Sequence, residues 1–107
     1  MPERKLVWSP DAITDLQEIA DFIALDKPDA ARRWAQTLAV AAQRAAALPL
    51  AGRRVPEFDR DDMREMIKRG YRILYRVSDD LVEIVAVIEG HRQLPDGILD
   101  RRGSLDG

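Results

Sequence analysis

Between Pro10 and Leu48 apolar residues return every three or four positions, whereas from Tyr71 onward they return every second position. The first spacing is that of a helix face and the second that of a strand. Ser9-Pro10-Asp11 supplies a hydroxyl cap, a proline for the first helical position and an acid at the positive dipole end. Ile13, Leu16, Ile19, Ala20 and Ile23 then form one helical face. Asp26-Lys27-Pro28-Asp29 breaks that helix and starts a second one. Its stripe is Ala31, Trp34, Leu38, Ala41, Ala45 and Leu48, and Pro49 ends it. The short connection predicts two antiparallel helices, packed closely because the second is rich in alanine.

Strand patterns flank the helices. Arg4 to Trp8 reads as a short first strand, and residues 50–62, LAGRRVPEFDRDD, as a polar loop without periodicity. Met63 to Lys68 is short and mixed. Tyr71 to Val77 sets Tyr71, Ile73, Tyr75 and Val77 on one face and Arg72, Leu74 and Arg76 on the other. Leu81 to Glu89 is apolar on both faces, as a central strand is. Lys68-Arg69-Gly70 and Ser78-Asp79-Asp80 fit hairpin turns. The predicted order is β-α-α-β-β-β, an α+β domain with a helical hairpin on one face of a mostly antiparallel sheet. Residues 1–95 form the one domain, and 96–107, with few apolar anchors, are expected to be a flexible C-terminal tail.

The 107 residues fit one domain. The net charge of −2 hides an uneven distribution. Arg64, Lys68, Arg69, Arg72 and Arg76 cluster in one stretch against Glu65 alone, while residues 9–29 carry six aspartates and glutamates against Lys27. Such a local field attracts an acidic partner or a polyanion. There is no cysteine, so disulfides and thiolate chemistry are excluded, and a single histidine argues against a zinc site. No cofactor motif appears. Neither a signal-peptide core nor an apolar run of membrane-spanning length is present, so a cytoplasmic location is expected.

Three groups carry candidate chemistry. With Ile73 and Tyr75 facing the helices, Arg72 and Arg76 point to the other face, where Arg64 and Lys68 would complete a basic patch able to grip phosphate or carboxylate. The competing reading, weightier on pattern alone, is that strand arginines merely solubilise a wet face. His91 and Arg92 follow the last strand, where a proton carrier beside a guanidinium would suit RNA cleavage. Adjacent residues on an extended chain point apart, which favours a plain solvated strand end. Asp59, Asp61 and Asp62 more readily solvate their loop than bind a cation. Trp34, Trp8, Tyr71 and Tyr75 are expected in the core.

An ordered set of segments resembles the RelE/ParE superfamily of toxins from type II toxin–antitoxin pairs. It runs from W-S-P-x-A (Trp8 to Ala12) and D-L-x-x-I (Asp15 to Ile19) through P-x-A-A (Pro28 to Ala31) and L-A-G-R (Leu50 to Arg53). Arg64-Glu65, G-Y-R-I-L-Y-R-V (Gly70 to Val77) and Gly90-His91-Arg92 complete it. The resemblance implies a growth inhibitor silenced by a cognate antitoxin, whose acidic segment folds onto the toxin. Any contact with DNA would come only through that antitoxin. It also implies a binding set for antitoxin or target: Arg64, Lys68, Arg69, Arg72, Arg76 and Arg92. ParE-like members poison DNA gyrase, while RelE-like members cut mRNA on the ribosome. In the nuclease case Arg72, His91 and Arg92 would be catalytic. Arg64-Glu65-Met66 stands where those nucleases place paired lysines, and no tyrosine follows Arg92, so the likeness is closer to ParE. A protein that binds gyrase and performs no catalysis is therefore the first expectation, with the ribosome-dependent endonuclease second. A non-toxic homologue that keeps only antitoxin binding is third.

Overall fold

The structure, a computed structural model, describes residues 4–90, 92–94 and 97–98. Strand β1 (Lys5–Trp8) leads into helix α1 (Pro10–Ala24), which is followed by α2 (Pro28–Ala47). A short 3-10 turn at Pro49–Ala51 precedes β2 (Arg53–Arg54), β3 (Met63–Lys68), β4 (Tyr71–Val77) and β5 (Leu81–Glu89). The predicted helices and three long strands are all present. The segment expected to be wholly loop, 50–62, contributes the two-residue β2.

Ser9 begins α1 as its pattern requires. Its Oγ accepts the Ala12 N–H at 3.1 Å and donates to the Val85 carbonyl at 3.3 Å, so one hydroxyl caps the helix and ties it to β5. Such a cap contributes about 1 kcal/mol. Asp15, nearly two turns on, accepts the Val87 N–H at 3.0 Å and makes a second tie. On α2 the buried face holds Trp34, Leu38, Ala41, Ala42, Ala45 and Ala46. The small alanines let the helix axis approach its neighbours closely.

The sheet runs β1-β5-β4-β3-β2. All neighbours are antiparallel except β1, which lies parallel to β5 with Lys5 opposite Leu81. The β3–β4 hairpin turns on Arg69 and Gly70, both left-handed at φ 52° and 81°. That is the two-residue turn whose twist matches the strands. Between β4 and β5 the register slips at Leu74/Tyr75, because Val85 is an extra residue. This bulge sends both Val85 and Ala86 to the helix-free face.

Each sheet face has its own core. Under the helices lie Leu38, Ile73, Tyr75, Val82, Ile84 and Val87, with Trp8 and Tyr71 packed against them. On the opposite face Val55, Met63, Leu74, Val85 and Ala86 are joined by Ile98, which is 1% exposed although it falls within the stretch expected to be a tail.

Candidate functional site

The helix-free face of the sheet is where the sequence places its strand arginines, and it holds a chain of ion pairs. Glu65, on β3, is fully buried and accepts two guanidinium Nε–H groups, from Arg53 at 2.5 Å and Arg72 at 2.6 Å. The two terminal nitrogens of Arg72 donate to the two oxygens of Glu57, each at 2.7 Å. Three of the five N–H donors of Arg72 are thus committed to carboxylates. Arg72 is 6% exposed, and the bidentate clasp pins the 55–58 segment to β4. Its hydrogen bonds hold the Glu57 carboxyl below its ordinary value, and the same bonds drive the guanidinium further above its own.

The neighbouring arginines are committed too. Arg76 donates to the buried Glu83 at 2.8 Å across the β4–β5 pair. Arg64 donates to the Asp61 carbonyl at 3.0 Å and the Gly52 carbonyl at 3.3 Å. Asp59 and Asp61 pair with Arg54, and Asp62 with Arg60, which lowers the Asp62 pKa chiefly through its hydrogen bonds. Among the described residues no group of His, Cys, Asp and Glu is arranged to hold a metal ion.

Gly52 packs where no side chain fits. A Cβ there would collide with the Tyr75 hydroxyl and lie 2.8 Å from the Glu65 carbonyl oxygen. That hydroxyl donates to the Pro49 carbonyl at 2.6 Å, and burial raises its pKa. The L-A-G-R stretch therefore serves as a seat for β4 and for the buried Glu65.

The six residues of the expected binding set are distributed over four places, and the patch expected of Arg64, Lys68, Arg72 and Arg76 does not form. Arg72 and Arg76 lie in the ion-paired outer face. Arg64, opposite Tyr75 in the register, stands on the helical side of β3, where it reaches the Gly52 carbonyl and Asp61. Lys68 and Arg69 stand at the hairpin end, lining a trough with α2. Arg92 lines a groove of about 420 Å³ on the helical side, between α1 and the end of β5. Its companions there are Asp15, Glu18 and Glu89, with Phe22 68% exposed on the rim. His91 lies outside the described residues.

Glu57, Glu65 and Glu83 organise this face, and their residue types alone did not mark them. Strand register does. The turn at 69–70 sets Glu65 opposite Leu74, diagonal to Arg72, and the β4–β5 register sets Glu83 directly opposite Arg76. Opposite charges in those relations find each other.

Comparison with known proteins agrees with this architecture. The family model described as "ParE toxin of type II toxin-antitoxin system, parDE" matches residues 6–94. A protein named putative toxin Y4kP, from Sinorhizobium fredii, is 34% identical over 99 residues, 89% of this chain and 97% of its own length. A protein named toxin RelE2, from Caulobacter vibrioides, is 37% identical over 84 residues, 78% of this chain and 91% of its own. A solved chain from the chromosomal ParDE TA system of P. aeruginosa superposes with a TM-score of 0.69 at 19% identity. It covers 81% of this chain and 96% of that one, and so shares the fold. Membership in such a family implies a cognate antitoxin as partner. No described helix is long and apolar enough to cross a membrane. With a match that spans both helices, the ion-paired face and β5, this chain belongs to the ParE toxin family of type II toxin–antitoxin systems.

Proposed function

We propose that the chain inhibits growth by binding DNA gyrase, without cutting RNA, until an antitoxin covers it. The observation that carries this reading is the state of Arg72. A nuclease arginine must offer its donors to a scissile phosphate as negative charge develops there. Arg72 instead spends its donors on Glu57 and Glu65. Arg72 holds the Glu57 carboxyl below its ordinary value, which makes it a weak proton acceptor, and both carboxylates would repel an incoming phosphate. Arg92, the other basic position of the nuclease pattern, lines a groove on the opposite side of the sheet among carboxylates. A surface so internally neutralised suits docking to a protein better than gripping ribosomal RNA, where phosphate neutralisation dominates affinity.

The test sets two targets side by side. Purified protein is expected to block supercoiling by gyrase at micromolar concentration and to leave mRNA intact on stalled ribosomes. Full supercoiling at that concentration sinks the reading, and codon-specific cuts on the ribosome would replace it with the endonuclease. Loss of those cuts in His91→Ala would then assign the proton carrier.

A further inference from the structure

The arginines of the sheet face are neutralised within the fold, but the two helices carry charge that is not. Helix α1 holds four acids, Asp11, Asp15, Glu18 and Asp21, and no base. Helix α2 holds Arg32, Arg33 and Arg44 against Asp29 alone. Glu18, Asp21, Phe22 and Leu25 fall at i, i+3, i+4 and i+7, which makes one stripe along α1. Glu18 and Phe22 line the groove of about 420 Å³ beside β5. Arg33 and Arg44 line a trough of about 410 Å³, together with Lys68 and Arg69 at the β3–β4 turn. Among the described residues neither Glu18 and Asp21 nor these four cations form an ion pair.

Apolar surface accompanies each set of charges. Phe22 and Leu25 are 68% and 87% exposed on the acidic stripe, and Val40 is 62% exposed in the basic trough. The groove and the trough share no lining residue, so the opposite charges of one helical hairpin do not meet. An occupant of a single sign would suit one surface and be repelled by the other. A body that carries both signs, each beside exposed apolar side chains, suits both. This chain is such a body.

We propose that the chain associates with copies of itself, the acidic stripe of α1 in one copy lying in the basic trough of the next. Glu18 and Asp21 meet Arg33, Arg44, Lys68 and Arg69, while Phe22 and Leu25 cover Val40. The exposed Phe22 ring also offers a guanidinium its face. Because the two surfaces differ, the contact is heterologous. Each added copy leaves one surface of each kind open, and growth continues until a ring closes. Exposed ion pairs contribute little each and are screened by salt, so the association is weak and reversible. The contact involves only this chain and holds whichever target the toxin has.

Sedimentation of the full chain from micromolar to millimolar concentration tests this. The mass is expected to rise above the 12.1 kDa of one chain. It is expected to return to that value at about 1 M salt, where the Debye length is about 3 Å. The variants E18R/D21R and R33E/R44E are each expected to lose at least tenfold in self-affinity. Mixed in equal amounts they are expected to associate again, because each supplies the surface that the other has reversed. Simple loss of the fold would not be repaired by mixing. A single chain at every concentration, undiminished association of either variant, no recovery on mixing, or association that strengthens with salt overturns the proposal. If a reversed variant melts early, E18Q/D21Q and R33Q/R44Q replace the pair. Their mixture should still form one contact, the acidic α1 of the second variant in the basic trough of the first.

Discussion

On the helical side of the sheet, Leu38, Ile73, Tyr75 and Val82 meet with no charged group among them. On the opposite side, a smaller apolar cluster around Met63 and Leu74 sits beside Arg72, Glu65, Arg76 and Glu83. Both sides are fed by the same strands, since β4 alternates Ile73 and Tyr75 with Arg72, Leu74 and Arg76. The helical side is covered by two long helices and needs only shape. Among the described residues the other side is covered by short stretches around Val55, Phe58, Leu94 and Ile98, and carboxylate–guanidinium pairs hold the first of them in place. The cost is that buried charges tolerate no loss of a partner. An arginine on a strand is thus no evidence of a ligand site until its cross-strand carboxylates have been found.

The contrast can be broken at several points. Leu38→Ala should cost about 3–5 kcal/mol, because a wholly buried leucine leaves a cavity under α2. Urea unfolding measures it, and the cost should be the same at pH 7 and pH 4. Arg72→Ala should cost about 3 kcal/mol, near the lower end for a broken buried pair, since Arg53 still reaches Glu65. A loss under about 1 kcal/mol would mean that the ion pairs decorate the outer face without holding it. Tyr75→Phe should cost about 1–2 kcal/mol by orphaning the Pro49 carbonyl, measured by the same unfolding curves.

The smallest effect is the most diagnostic. Arg72 depresses the Glu57 pKa, so the Glu57 contribution is complete above its ordinary value of 4.5 and fades as pH falls through the lowered one. The midpoint difference between the unaltered chain and Glu57→Gln should therefore shrink in acid, unlike that of Leu38→Ala. A difference independent of pH would show that the clasp is not ionic.

Much of the architecture was legible because it is local. Ser9-Pro10 marks a helix start on its own, the stripe through Trp34 and Leu38 defines a buried face, and Arg69-Gly70 defines a hairpin. The parallel union of β1 with β5 was not legible, because nothing near Lys5 names Leu81 as its neighbour. The site was harder still. Arg72 and Arg76 read as exposed cations because their neutralising partners, Glu57, Glu65 and Glu83, lie seven or more residues away in sequence. Arg33 and Arg44 lie off the apolar stripe of α2, and nothing in their spacing singles them out. Only tertiary packing sets them beside Lys68 and Arg69.

The position of β5 has a consequence in time. It is the last of the described strands in chain order, yet it lies between β1 and β4, and both cores draw residues from it. A growing chain that ends before Leu81 has helices and a β3–β4 hairpin but nothing to join β1 to the rest. Closure of such distant pairings is slow and waits on β5. During synthesis neither core can close until that strand has emerged. A nonsense mutation anywhere upstream of residue 81 yields a fragment with neither core complete, and so without the folded surfaces on which binding depends.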